Sequence, residues 1–182
     1  MIKEFWKCYS EAVNVGKAQG HMLSKMDMLD NKPVNLVGFS LGTLAAYYTA
    51  INVKSKNKIC DLYLLGSVLD KNEFLGNLWS LIGRGGTVEG RIYIDYSKSD
   101  WVLWSLKYLK LVKDKKFEEP IGHYGITHKE IADYFLKKNL ISENEYKGWL
   151  NYAKAKIMII DVSDKGIGHT YYESRYDFII KR

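Results

Sequence analysis

The chain has 182 residues, of which 47% are hydrophobic and 26% charged, with a formal net charge of +6. That is one ordinary globular domain with enough chain to bury a core, and it excludes long disordered, collagen-like and repeat-built architectures. Two cysteines, Cys8 and Cys60, are too few for a disulfide framework and form no metal-type cluster. The expectation is two reduced, buried thiols in a cytoplasmic protein, with no metal and no organic cofactor.

No run approaches the roughly 18 apolar residues that a membrane span needs. The richest stretch, Leu36 to Ile51, is interrupted by Gly38, Ser40, Gly42, Thr43 and Thr49. The N-terminus lacks the short apolar core of a signal peptide. The positive charge comes mainly from lysine, since the arginines are Arg84, Arg91, Arg175 and Arg182. Nucleic-acid readers favour arginine forks, so no nucleic-acid partner is expected. A solvated lysine-rich surface is the plain reading, and weak attraction to anionic membranes is the alternative.

Residues 3–30 predict one amphipathic helix, with Phe5, Trp6, Tyr9, Val13, Met22, Met26 and Leu29 recurring at helical steps until Asn31 and Pro33 stop it. Residues 34–39 predict a buried strand that runs directly into a helix over 41–53. A second strand is expected at 61–66, a helix at 73–82, a glycine-rich loop at 83–86 and a third strand at 91–95. Asp100 opens a helix reaching about residue 112, and a polar loop follows to residue 127. Helices over 128–138 and 143–154, a fourth strand over 156–161 and a final helix from His169 to Lys181 complete the chain. Short apolar strands alternating with helices imply a three-layer α/β fold with a mostly parallel sheet of about four strands. No linker or repeat divides it, so residues 1–182 read as one domain: a leading helix over 1–31 and a core over 34–182.

Gly38-Phe39-Ser40-Leu41-Gly42 fits G-x-S-x-G at the point where a strand turns into a helix. That context is what a nucleophile elbow requires. The serine occupies a strained turn at the sheet edge, and Gly38 and Gly42 are expected to avoid collisions across it. Ala45 and Ala46 let the following helix approach the sheet. The Leu41 N–H, at the helix N-terminus, is the candidate oxyanion donor. The bland alternative is a tight turn with an ordinary capping serine.

A nucleophilic serine needs a base and an orienting carboxylate, in the chain order Ser, Asp or Glu, His. His169, in a glycine-flanked loop eight residues after Asp161, is the first candidate base, ahead of His123. Asp100, just beyond the third strand, is the first candidate acid, with Asp95, Asp70, Asp161 and Asp164 as alternatives. Asp100 could equally serve as a helix N-cap. Phe39, Trp101 and Trp104 are candidate substrate contacts. In the helix after Asp100, residues Trp101, Trp104, Tyr108 and Leu111 share a face, which reads as core-facing or as an acyl-chain wall or membrane flap. Gly83 to Gly86 follows a helix rather than opening one and reads as a connecting loop, and His123 with His128 lacks the company a metal site needs.

The segment 33–42 resembles the serine elbow of α/β hydrolases. More specifically, the chain resembles the transmembrane-and-coiled-coil-domain hydrolase-like family, long catalogued as a domain of unknown function. The similarity rests on Gly90-Arg91, Tyr96-Ser97 and Asp100-Trp101-Val102-Leu103, and on Asp161-Val162-Ser163 preceding Gly168-His169-Thr170-Tyr171-Tyr172. The resemblance implies a lipase- or esterase-like protein in which Ser40, Asp100 and His169 form the triad. It departs from a full hydrolase in having one helix, and no strands, ahead of the elbow strand. The second oxyanion donor that an upstream loop normally supplies is therefore not assigned. An exposed elbow-strand edge favours a homodimer or another covering partner. The expected partner in catalysis is a small-molecule or lipid ester; a non-catalytic, hydrolase-fold binding or assembly module is the competing expectation.

Overall fold

The computed structural model describes residues 2–26, 34–54, 59–109, 119–165, 168–169 and 172. Four strands, β1 (Val34–Phe39), β2 (Ile59–Leu65), β3 (Ile92–Tyr96) and β4 (Ile157–Asp161), pair in parallel in the order β1-β2-β3-β4. The helices are α1 (Ile2–Lys25), α2 (Gly42–Asn52), α3 (Lys71–Ile82), α4 (Trp101–Leu109), α5 (Ile121–Tyr124), α6 (His128–Lys137) and α7 (Glu143–Lys156). The α/β architecture expected from the alternation is therefore present. Helices lie between each pair of sequential parallel strands, as a parallel sheet requires.

Register explains the core. Leu62, Ile92 and Ile157 align across the sheet, as do Leu64 and Ile94. They are buried with Tyr47, Phe74, Leu78 and Phe135 from the helices. Successive strand residues face opposite ways, so Tyr63 and Tyr93, also in register, stack on the other face at 4.5 Å between ring centroids. That face carries a smaller buried cluster of Leu65, Val162 and Tyr172, with Val37, Phe39 and Ile160 packed against it. β1 lies at the edge of the sheet, as anticipated for the elbow strand.

Helix ends follow local chemistry. Asp70 caps α3 through the Asn72 N–H, while Thr127 with Glu130 and Ser142 with Glu145 form reciprocal capping boxes on α6 and α7. α1 docks on α2 through two glycines. A Cβ on Gly16 would stand 2.5 Å from the Ala45 carbonyl oxygen, and one on Gly20 would stand 2.6 Å from that of Thr49. Backbone therefore meets backbone there, and no larger side chain fits without spreading the helices. Tyr9 of α1 donates to Glu73 of α3 at 2.6 Å, and Tyr48 of α2 donates to the same carboxylate. Burial and the Glu73 charge push the Tyr9 hydroxyl well above its ordinary pKa, so it remains a donor.

Several expectations are corrected. Cys8 is exposed and Cys60 only partly buried, because Cys8 falls on the outer side of α1. Met22 and Met26 are likewise exposed, and Gly16 and Gly20 form the buried seam instead. The polar loop expected before residue 127 contains α5, whose Ile121 and His123 are buried. Among the described side chains of α4 the buried ones are Leu103 and Leu106, whereas Trp101 is 71% exposed and Trp104 43%; Tyr108 and Leu111 of the expected stripe lie outside them. The core-facing reading of the tryptophan stripe fails because Asp100, fully buried at the helix start, turns Leu103 rather than Trp101 toward the core. The expected helix over 169–181 lies almost wholly outside the described residues.

Candidate active site

Ser40 stands between β1 and α2 with φ of 51°. A side chain in this left-handed region carries a cost on the order of 1 kcal/mol, so the strained turn expected of an elbow is present. Surrounding bonds hold it. The Ser40 N–H donates to Leu65 O at 3.0 Å, extending the β1–β2 pairing by one residue. The Ser40 carbonyl accepts from the Thr43 N–H at 3.0 Å and from the Thr43 hydroxyl at 2.5 Å. Behind this, the Ser67 hydroxyl donates to Thr43 Oγ1 at 2.9 Å and accepts from the Leu69 N–H at 3.2 Å. Thr43 and Ser67 are buried, and this hydroxyl chain braces the elbow from within the α2 side of the sheet.

The two motif glycines are not equivalent. A Cβ on Gly38 would stand 2.6 Å from both Gly42 O and Thr43 Cα. One on Gly42 would meet nothing within 4 Å, so the expected collision there does not exist. Ala46 is buried on α2, but Ala45 lies against Gly16 of α1. Leu41 occupies the N-cap of α2, and no side chain caps that helix end.

The structure brings Ser40, His169 and Asp100 together. His169 Nε2 lies 2.8 Å from Ser40 Oγ, and His169 Nδ1 lies 2.8 Å from Asp100 Oδ2. These groups come from three loops at the C-terminal ends of β1, β3 and β4. Asp100 is fully buried, and its other oxygen, Oδ1, accepts the Leu103 N–H at 3.0 Å. The carboxylate thus caps α4 and meets the histidine at once; the two roles expected as alternatives coexist. Phe39 lies against His169, with ring centroids 5.1 Å apart. Trp101 and Trp104 extend outward from the helix that Asp100 starts.

The alternative acids lie elsewhere or act otherwise. Asp70 caps α3 and accepts the Glu119 N–H at 3.2 Å. Asp95 is buried within β3, and His169 addresses Asp100 instead. Burial pushes the Asp161 carboxyl up, but bonds from the Ser163 hydroxyl and N–H outweigh it, so Asp161 sits below its ordinary value. Asp164 lies in the short turn Ser163–Lys165 and is exposed. His123 is buried in α5 beside Tyr124. Among the described residues, no group of three or more His, Cys, Asp or Glu could hold a metal ion. A separate groove between the end of α3 and α7, lined by Ile82, Arg84, Glu145, Trp149 and Tyr152, shares no residue with the Ser40 site.

Sequence reasoning missed Thr43, Ser67 and Gly66, and noted Tyr172 only as part of the resemblance, with no role of its own. Thr43 had a local signal, the three-residue spacing at which a hydroxyl reaches a preceding carbonyl. The other contacts join distant segments and leave no local trace.

An α/β protein whose elbow serine meets a His–Asp pair is the class that fold and site define. The family described as "Protein of unknown function (DUF726)" matches residues 1–118, and the chain belongs to that family. The matched stretch includes Ser40 and Asp100 and ends before His169. An uncharacterized membrane protein of Schizosaccharomyces pombe is 31% identical over 101 residues, covering 52% of this chain. That alignment spans 12% of the yeast protein's length. No solved structure matches the chain. Among the described residues, no helix is long and apolar enough to cross a membrane.

Proposed function

We propose that this protein is a serine hydrolase acting on carboxylic esters. The observation that carries the reading is the unbroken hydrogen-bond chain from Ser40 Oγ through His169 to buried Asp100, 2.8 Å at each step. Asp100 accepts a hydrogen bond from the His169 Nδ1–H, which leaves Nε2 as the acceptor facing Ser40. Ser40 Oγ attacks the ester carbonyl while His169 takes its proton, and Asp100 stabilises the resulting imidazolium. The tetrahedral intermediate places its oxyanion against the Leu41 N–H at the positive end of α2. Collapse expels the alcohol, which takes the proton from His169, and leaves an acyl group on Ser40. Water, deprotonated by His169, then releases the acid and restores the serine.

Lipid esters are the proposed substrate class. Exposed Trp101 and Trp104 directly follow Asp100, and aromatic side chains of this kind favour an acyl chain or bilayer interface. The Schizosaccharomyces pombe relative is described as a membrane protein, which supports an activity near lipid. Phe39, beside His169, is a proposed substrate contact. The competing reading is a hydrolase-fold binding or assembly module. It is favoured by the edge position of β1, beside which no described strand supplies a second oxyanion donor.

The test is hydrolysis of p-nitrophenyl esters of increasing acyl length, comparing wild type with Ser40→Ala. The hydrolase reading expects turnover that rises with chain length and disappears in Ser40→Ala. Equal rates for the two proteins would favour the binding module.

A further inference from the structure

His169 follows β4 by several residues, so its approach to Ser40 depends on what holds its loop. Ser40 and Asp100 are each fixed by their own backbone: Ser40 N–H binds Leu65 O at 3.0 Å, and Asp100 N–H binds Ser97 O at 3.1 Å. Three residues beyond His169, Tyr172 is fully buried against the second face of the sheet with Leu65 and Val162. Three residues of chain reach at most about 10 Å, so an anchor at position 172 confines position 169.

The anchor has a built seat. Gly66, directly after β2, has φ of 51°, and a Cβ there would stand 2.9 Å from the Tyr172 ring. The missing side chain is therefore what lets the ring lie on this backbone. The ring also meets Phe39, with centroids 5.6 Å apart. Phe39 immediately precedes Ser40 and also contacts His169, 5.1 Å away. One aromatic ring thus lies against both the histidine and its anchor, and belongs to the strand that delivers the serine.

The Tyr172 hydroxyl is buried with no hydrogen-bond partner among the described residues. Burial, together with the charges of Asp100, Asp95 and Asp161, holds it protonated well above its ordinary value. The hydroxyl therefore contributes nothing visible to the seat, and the ring carries the contact.

We propose that Tyr172 is a positioning residue whose ring, seated on Gly66 and Phe39, holds His169 in register between Ser40 and Asp100. The proposal rests on the hydrolase reading for its catalytic consequence, but its structural content is independent of turnover. Misplacing a catalytic group by about 1 Å can cost about 10²-fold in rate. Substrate binding would be spared more than turnover, because Tyr172 is fully buried and its own side chain cannot touch the ester.

The test combines ester kinetics with the low-field proton resonance of the His169 Nδ1–H in its bond to Asp100. Tyr172→Phe should leave kcat, KM and the resonance as in wild type. Tyr172→Leu should lower kcat by about 10²-fold with KM little changed, and should broaden or abolish the resonance while unfolding stays cooperative. Gly66→Ala keeps the tyrosine but pushes its ring out of the seat, and should reproduce the Tyr172→Leu pattern even if Tyr172→Leu fails to fold. Wild-type kcat and resonance in Tyr172→Leu or in folded Gly66→Ala would overturn the proposal. So would a Tyr172→Phe loss as large as that of Tyr172→Leu. A wild type that shows the resonance but no turnover, with the resonance lost in Tyr172→Leu, would support the positioning role and overturn the hydrolase reading.

Discussion

Asp100→Asn separates two demands that one carboxylate now meets. Oδ2 faces His169 Nδ1 at 2.8 Å, while Oδ1 accepts the Leu103 N–H at 3.0 Å. Asparagine has one acceptor oxygen and one NH₂ group, so it cannot satisfy both. If its oxygen keeps the cap, its NH₂ faces His169, and the imidazole must present Nδ1 as acceptor. The proton then moves to Nε2, where it points at Ser40 Oγ and cannot accept the serine proton. A tautomer error of this kind costs about 10⁴-fold in kcat, equivalent to about 5.5 kcal/mol at about 1.36 kcal/mol per tenfold. If the oxygen instead faces His169, activity survives, but the buried Leu103 N–H meets an NH₂ group. That mismatch costs about 1–3 kcal/mol of stability. The capped arrangement retains every buried bond, so the expected outcome is near-normal thermal stability with kcat reduced about 10⁴-fold. Ester turnover and calorimetric unfolding read the two quantities on the same sample. A variant that retains both full activity and full stability would refute the dual role of Asp100.

Other outcomes follow from the packing. Gly38→Ala should destabilise by about 1–3 kcal/mol through overpacking at Thr43, whereas Gly42→Ala should be neutral or stabilising by up to about 1 kcal/mol; chemical denaturation measures both. Gly16→Val should lower stability by about 1–3 kcal/mol, because its side chain has to displace the Ala45 backbone of α2, and the loss should appear in the unfolding midpoint. Burial raises the Glu130 carboxyl, but bonds from Thr127 and Lys71 outweigh this and leave its pKa below the ordinary value. Its folded form therefore contributes stability that is complete above the unfolded carboxylate pKa and lost as pH falls through the lower folded one. Glu130→Gln should accordingly flatten the acid limb of the stability profile, and an unchanged acid limb would contradict this.

The sequence made the strands legible because each is a short apolar run between turn signals. It also exposed the elbow, since G-x-S-x-G at a strand-to-helix junction is a local pattern. Chain order put Asp100 and His169 ahead of the other candidates, and the structure places both beside Ser40, in loops that follow β3 and β4. What stayed hidden depends on pairs of elements. Helical periodicity placed Trp101 and Leu103 on different faces but could not say which face was buried; the Asp100 cap decides that. Gly16 and Gly20 carry no side chain that an apolar periodicity could register, yet they allow α1 and α2 to touch backbone to backbone. The Gly66–Tyr172 seat joins residues more than a hundred positions apart, beyond the reach of any local pattern.

The central claim is that Ser40 is a nucleophile activated by His169 and Asp100. Labelling with a fluorophosphonate probe tests it most directly, because the probe reacts with an activated serine without requiring the natural substrate. The account predicts one covalent adduct on Ser40 by intact mass and peptide mapping, absent in Ser40→Ala and strongly slowed in His169→Ala. A folded wild type that takes no label, or labels equally after Ser40→Ala, would contradict it.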